Sequence, residues 1–361
     1  MDSSLTELCR FFAGLSRRGE PLVVATIVRT EGSTYRKAGA RILISQRGVT
    51  SGLLSGGCLE ADLCERAMRV LLSGRPERVL FDSRNSDDPI WGIGLGCEGA
   101  NHIWLQAAGV ENSYAPLPYL SQCLTEQHIG TVATIIGGAA LPAELGRHGY
   151  ADVLDGDQLT AQLSACQATK PEIQNLRYLD RTLEVFVAPT TLPPTLLLCG
   201  GGPDAVPVAQ FADLLGWRTT VFDHRPGIAS PANFMHSATV VLGRPDELTE
   251  RLQPSKFDAA VIMSHNLAYD VTYLRRLAID PPRYIGLLGP ASRRTRIFDE
   301  VGSAVHQIAD RIRGPVGLDI GANSPASIAL AIVAQIHAVL AGKHDAAFAS
   351  ALPDYPSRAR T

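Results

Sequence analysis

Two glycine-framed cysteines carry the most reactive chemistry available to this 361-residue chain. In TSGLLSGGCLEADLCERAMRVLLSG, a polar approach containing Gly52, Ser55, Gly56 and Gly57 leads to Cys58. A helical apolar pattern follows at Leu59, Leu63, Ala67, Val70 and Leu71. A thiol at a helix N-terminus meets the positive end of the macrodipole and unpaired N–H groups, and both favour the thiolate. Cys58 is therefore the candidate nucleophile or soft metal ligand, with Gly56 and Gly57 as backbone contacts to a bound group, while Glu60 and Asp62 oppose ionisation by repelling an anion. Cys97, in IGLGCEGAN, is the second candidate, and if the two loops converge they form a soft ligand pair or a sulfur relay. The remaining cysteines are Cys9, Cys64, Cys123, Cys166 and Cys199. Seven in all, without a CxxC, indicate neither a disulfide framework nor a zinc site. Arg36, Lys37 and Arg41 of GSTYRKAGARILI add charge that either faces an anion or is simply solvated.

A second set of candidates surrounds LLLCGGGPDAVPVAQFADLLGW, which reads as strand, tight turn and helix. Gly200, Gly202 and Ala205 fill the G-x-G-x-x-G/A positions: the first permits the turn, the second lets a phosphate approach, and the third keeps helix against strand. Asp223 ends the next strand, where an acid accepts hydrogen bonds from ribose hydroxyls. Arg225 just beyond it leaves the choice between NAD and NADP open. Asp204, in the first helical turn, either caps free N–H groups or repels a pyrophosphate seeking the same dipole. Further on, YIGLLGPASRRTRIFDE places Gly286 and Gly289 at a strand end and Ser292, Arg293, Arg294 and Arg296 at a helix start, a phosphate-competent nest with guanidinium forks. Asp319 lies in the glycine turn of GLDIGANSP, ahead of Ser324 as N-cap and Pro325 at the first helical position. His265 follows the strand AAVIMSH at the same edge.

The elements that must position these residues are α/β. An N-terminal mixed α/β domain spans residues 1–190, with strands at Leu22 to Val28, Ala40 to Ile44, Arg78 to Phe81, His102 to Leu105 and Thr131 to Ile136, and helices at Leu59 to Leu72 and Leu117 to Glu126. The run LEVFVAPTTLPPT, a short strand pattern followed by a proline- and threonine-rich connection, closes it. A Rossmann-type domain with a mostly parallel sheet follows over residues 191–345. Its strands at Leu196 to Leu198, Thr219 to Phe222, Thr239 to Leu242, Ala259 to Met263, Tyr284 to Leu288 and Val316 to Leu318 are nearly all continuous apolar runs, as strands covered on both faces require. Residues 346–361 form a tail. With 45% hydrophobic and 19% charged residues, a net charge of -3 and no basic stripe, a nucleic-acid partner is discounted. No apolar run approaches the length of a membrane span, and the start of the chain lacks a secretory pattern, so the expected location is cytoplasmic.

Taken together, GSTYRKAGARILI, SGGCLEADL, GLGCEG, LLLCGGGPDA with VFDHRP, YIGLLGP with SRR, and GLDIGANSP resemble the XdhC/CoxI family of xanthine dehydrogenase accessory factors over nearly the whole chain. The resemblance implies a dimeric cytosolic factor that binds molybdenum cofactor, supports its sulfuration with a cysteine desulfurase and delivers it to a molybdenum hydroxylase. It places the family's loop cysteine on Cys58 and the second glycine-cysteine loop on Cys97. Two positions depart from the pattern: the Rossmann turn reads Gly-Pro-Asp where many relatives carry Gly-His-Val, and Glu98 stands where a glycine is common. Two other readings of the residues remain. An NAD(P)-dependent oxidoreductase would use the Rossmann turn and Asp223, although hydride transfer needs a positioned acid or base and no Tyr-x-x-x-Lys pair is present. A sulfurtransferase would carry persulfide on Cys58.

Overall fold

The computed structural model describes residues 4–57, 59–84, 99–153, 156–235 and 237–343, so the tail expected over residues 346–361 lies outside the described residues. The chain divides into two compact units, with the division between Leu192 and Pro193.

The N-terminal unit begins with α1 (Ser4–Ser16) and a run of three strands, β1 (Leu22–Gly32), β2 (Arg41–Ser45) and β3 (Thr50–Gly52). After α2 (Glu60–Ser73) come β4 (Glu77–Asp82), β5 (Gly99–Ala108), α3 (Leu117–Glu126), β6 (Thr131–Gly138), β7 (His148–Tyr150), α4 (Gln158–Ser164), β8 (Glu172–Tyr178) and β9 (Arg181–Pro189). They build two antiparallel sheets, ordered β3-β2-β1-β5-β4 and β7-β6-β9-β8. Successive residues of a strand face opposite sides, so Val23, Ala25 and Ile27 of β1 pack with Leu63, Ala67 and Val70 of α2. Leu22 and Val24 instead join Leu8 and Phe12 of α1 and Leu120 of α3. Farther along β1, Val28 meets Ile136 of β6 and Phe186 of β9, which joins the two sheets. Every residue from Leu22 to Val28 is consequently buried.

The C-terminal unit alternates β10 (Thr195–Cys199), α5 (Ala205–Leu214), β11 (Arg218–Asp223), β12 (Thr239–Leu242), α6 (Leu248–Arg251), β13 (Ala259–Ile262), α7 (Leu267–Ile279), β14 (Tyr284–Leu287), α8 (Ala291–Val301), β15 (Ile312–Arg313) and α9 (Pro325–Leu340). All six strands are parallel, in the order β12-β11-β10-β13-β14-β15. This is the 3-2-1-4-5-6 order of a doubly wound nucleotide fold, with its topological switch between β10 and β13. Leu196 and Leu198 point into a core with Val208 and Ala212 of α5 and Ile332 and Ile336 of α9. Leu197 and Cys199 point into the opposite core, with Leu274 of α7 and Ile297 of α8. The expected cap of α9 is present, since Ser324 Oγ accepts from Ser327 N–H at 3.2 Å with Pro325 at the first helical position.

One expected strand is displaced. The sixth strand is Ile312–Arg313, and residues 316–318 are irregular. Val316 N–H still donates to Leu287 O of β14 at 3.0 Å, but Gly317 is taken by a side chain: its N–H donates to Gln335 Oε1 at 3.0 Å, and Gln335 Nε2 donates back to Gly317 O at 3.2 Å. A buried glutamine on α9 thus satisfies the backbone of Gly317, and periodicity carries no sign of such a long-range amide.

Inside the N-terminal unit, His148 lines a small cavity of about 20 Å³, with Nδ1 2.9 Å from Thr134 Oγ1 and Nε2 3.2 Å from Gln106 Nε2. Gln106 can only donate from that nitrogen, so the ring is neutral, accepting at Nε2 and donating from Nδ1. Desolvation, with the Arg41 charge added, pushes its pKa down from 6.5 to about 3. Between those values the unfolded chain binds a proton that the folded chain refuses, so stability falls as pH drops from 6.5 toward 3. His148→Gln is expected to flatten that limb of a denaturant-midpoint-versus-pH curve, and a variant curve parallel to the parent's would contradict this origin.

Candidate functional site

The cysteine loops are best located from the strands that launch them. β1 runs toward Gly32, and β5 starts opposite it, with Gly32 in register with Gly99. β4 ends at that level, Asp82 facing Ala100. β2 begins and β3 ends farther back along the sheet, since Ile42 pairs with both Gly52 and Ala25 of β1. Both roots of the segment carrying Cys97 therefore lie together at the far end of β1, whereas the segment entering position 58 leaves β3 from the level of Ala25. Cys58 and Cys97 themselves, with Glu98, lie outside the described residues.

Leu54 and Leu59, both buried in the core under α2, pin the first loop on either side. Gly56 and Gly57 between them are exposed, and a Cβ built on either meets nothing within 4 Å. Ser55 organises the turn. Its hydroxyl donates to Glu60 Oε2 at 2.6 Å and accepts from Gly57 N–H at 3.2 Å and Leu59 N–H at 3.1 Å. Glu60 also accepts from the amides of Ser55 and Leu59, each at 3.1 Å. The amides on both sides of position 58 are thus already spent on Ser55 and Glu60. Asp62, expected to repel that anion, is neutralised by Arg66 at 2.6 Å.

The second loop is rooted in a charged cluster that the sequence reading missed. Arg84 reaches Glu31 at 2.8 Å and grips Asp82 through Nε and Nη2, at 2.8 and 2.6 Å. Glu31 also faces Arg29 at 3.0 Å and His102 at 3.4 Å. Hydrogen bonds from the Arg84 side chain and amide hold the Asp82 carboxyl down at about 2. Only the Asp82-x-Arg84 spacing hints at this cluster in sequence. In the basic loop, Lys37 donates to Thr34 Oγ1 at 3.4 Å, while Arg41 lines the His148 cavity and so lies apart from an anion-facing group at this edge. Among the described residues no group of three His, Cys, Asp or Glu side chains is arranged to hold a metal ion.

In the C-terminal unit the candidates gather at the carboxyl ends of β10, β11, β13 and β14, where open parallel sheets bind ligands. Gly200 has φ +120°, and a Cβ there would lie 2.6 Å from Met263 O, so both conformation and contact require glycine. Ala205 is buried against the sheet and donates to Gly202 O at 2.9 Å. Asp223 is buried with all four acceptor positions engaged. Gly201 N–H and Arg225 Nη2 donate to Oδ2, each at 2.7 Å, and Arg225 N–H and Nε donate to Oδ1 at 2.8 and 3.0 Å. Burial pushes this carboxyl up, but the Arg225 side chain and the two amides together outweigh it and leave it below its ordinary value. Asp204 does not cap α5 with its side chain; it meets His265 Nε2 at 2.8 Å, and His265 is itself held at φ +60°.

The arginines expected to fork a phosphate are committed elsewhere. Arg293 donates through Nε and Nη2 to Asp270 Oδ2, at 2.9 and 2.6 Å, and its stem lies over Gly289, whose φ is +119°. Arg294 is buried and donates to Gly314 O. Asp270, buried in the first turn of α7, also accepts from Ser264 Oγ, so it ties the end of β13 to the start of α8. Asp319 is exposed in the turn after β15. Asp270 and Ser264 were invisible to motif reading because their roles are set by partners 23 and 6 residues away.

A glycine loop of this form, at the switch point of a 3-2-1-4-5-6 sheet and joined to a unit with a glycine-framed cysteine loop, defines the class: a two-unit α/β protein with a Rossmann domain. The match to known families is specific. The XdhC and CoxI family model covers residues 15–82, and the XdhC Rossmann domain model covers residues 196–336. A Bacillus subtilis (strain 168) protein, named as a probable subunit of xanthine dehydrogenase, is 32% identical over 88% of this chain and 92% of its own length. The molybdenum cofactor insertion chaperone PaoD of Escherichia coli (strain K12) is 23% identical over 92% of this chain and 87% of its own. A crystal structure described as a xanthine dehydrogenase from Bacillus halodurans superposes with a TM-score of 0.75 at 29% identity, covering 96% of this chain and 98% of that one. The chain belongs to the XdhC and CoxI family.

Two outcomes test this geometry. A Cβ on Gly99 would fall 2.3 Å from Ser33 O, so Gly99→Ala should cost about 1–3 kcal/mol, whereas Gly56→Ala, in open space, should stay within about 0.5 kcal/mol. Equal chemical-denaturation midpoints for the two variants would refute the close approach of the Ser33 and Gly99 backbones. Asp270→Ala, which strands Arg293, should lower stability by about 3 kcal/mol, and Asp270→Leu combined with Arg293→Met should recover much of that loss. A double variant as unstable as the single one would show that the pair is not the source.

Proposed function

We propose that this chain is an accessory factor that binds molybdenum cofactor, supports its sulfuration with a cysteine desulfurase and delivers it to a molybdenum hydroxylase such as a xanthine dehydrogenase. Family membership and a relative named as a molybdenum cofactor insertion chaperone support the cargo and the client. The observation that carries the site is the loop before position 58: two exposed glycines stand between buried anchors just beyond the end of β3. Glycines without neighbours let a planar pterin approach the backbone closely. The Ser55–Glu60 lock fixes the turn beforehand, so binding does not have to order it.

Cys58 is the residue proposed to attend the cargo, either as a soft ligand or as a sulfur carrier, with Cys97 as its partner. The chain works as a cytoplasmic homodimer in this reading. Among the described residues no helix is long and apolar enough to cross a membrane.

Purification of the full chain from cells that make the cofactor tests the proposal, with bound pterin and molybdenum quantified and transfer to an apo-hydroxylase assayed. Retained pterin and restored hydroxylase activity are the expected outcomes. A preparation free of pterin that also fails to activate the client would end the proposal. Cys58→Ser separates the two roles: loss of pterin marks a ligand, whereas normal pterin with a client lacking its sulfur marks a sulfur carrier.

A further inference from the structure

A dinucleotide's diphosphate is held by backbone N–H groups of the glycine loop and of the first turn that follows, aided by the helix dipole. An inventory of those donors gives an unusual result here. Gly200 N–H donates to Phe222 O at 3.0 Å, Gly201 N–H to Asp223 Oδ2 at 2.7 Å, and Ala205 N–H to Gly202 O at 2.9 Å. Pro203 and Pro207 have no N–H to offer. Gly202, Asp204 and Val206 are at most what remains for two phosphates.

Charge adds a second obstacle. A Cβ on Gly202 would lie 2.8 Å from Asp204 Oδ1 and 4.0 Å from His265 Cδ2, so the Asp204–His265 pair borders the glycine over which a diphosphate must pass. A carboxylate thus holds the position at the start of α5 where the helix dipole would otherwise favour a phosphate. The ribose acid is closed as well, because an ionised carboxylate has about four acceptor positions and Arg225 and Gly201 fill those of Asp223.

We propose that Pro203 and Asp204, the latter held by His265, close this crevice to NAD, NADP and other diphosphate-bridged dinucleotides, and that they are the residues setting the ligand specificity of the Rossmann domain. The inference concerns the C-terminal unit alone and is independent of whether the N-terminal loop carries a molybdenum cofactor. Calorimetric titration of the full-length protein with NAD, NADP and ADP-ribose tests it. The parent chain should show no saturable binding up to about 1 mM. Asp204→Asn should gain ADP-ribose binding. Pro203→Ala with Asp204→Asn, which also restores a donor, should bind at least about tenfold more tightly than the parent. A parent Kd below about 10 μM for any of the three ligands would overturn the inference. So would a pair of variants that keep the parent's circular dichroism and bind no better. Should the double variant fail to fold, the parent and Asp204→Asn titrations decide alone.

Discussion

Leu196, Leu197, Leu198 and Cys199 expose nothing to solvent, because alternate residues of β10 enter cores that include α5 and α9 on one face and α7 and α8 on the other. β1 is covered on both faces over Leu22–Val28 in the same manner. A strand clothed twice has no face left for a ligand, and polar side chains in its middle would lose hydration without replacement. Chemistry is thereby driven to strand ends: to the edge where β1 meets β5 in the first unit, and to the carboxyl ends of β10 to β14 in the second. The turn held by Ser55 and Glu60 and the glycine turn after β10 both lie beyond such strand ends.

The same scarcity of water governs the charges. Asp223 and Asp270 are each nearly fully buried, and each takes an arginine with it: Arg225 through a two-point fork and Arg293 through two nitrogens on one oxygen. A buried carboxylate without such a partner would cost several kcal/mol, so these arginines serve the fold before any ligand. Arginines beside glycine turns read naturally as phosphate forks in a linear sequence, but the acid that claims Arg293 sits 23 residues earlier, on another helix.

That difference marks how far the sequence was legible. The doubly wound unit was readable almost strand for strand, because parallel strands buried on both faces are unbroken apolar runs and because Gly200 with φ +120° and the Ser324 cap are local demands with local signatures. The N-terminal unit was readable as α/β with most of its first sheet, yet β3, β7 and β8 escaped, and β9 was legible only as a short strand pattern running into a proline- and threonine-rich connection. These strands owe their existence to pairings such as Thr131 with Pro189 and Ile173 with Phe186, and their half-buried patterns are weak taken singly. At the sites, glycine positions were legible from conformation alone. The pairs Ser55–Glu60, Asp204–His265 and Arg84–Glu31 were not, since nothing in residue type distinguishes a carboxylate that locks a turn from one that faces water.

The cysteines show where packing physics narrows a chemical choice. Burial is the leading influence on each of the five described thiols and pushes every one of them up from its ordinary value: Cys9, Cys64, Cys123, Cys166 and, most strongly, Cys199 at the end of β10. A thiol held protonated is a poor nucleophile and a poor ligand. Cys199 in particular stands immediately before the glycine turn, a position that would suggest reactivity to a reader of motifs, yet its side chain is sealed beneath α7 and α8. None of the five described cysteines is thus set up for thiolate chemistry, and the proposed function accordingly names Cys58 and Cys97. Next to position 58, Ser55 and Glu60 hold the turn before a helix fourteen residues long, and of the two carboxylates in that helix's first turn Asp62 is paired with Arg66 while Glu60 is taken up by the turn itself.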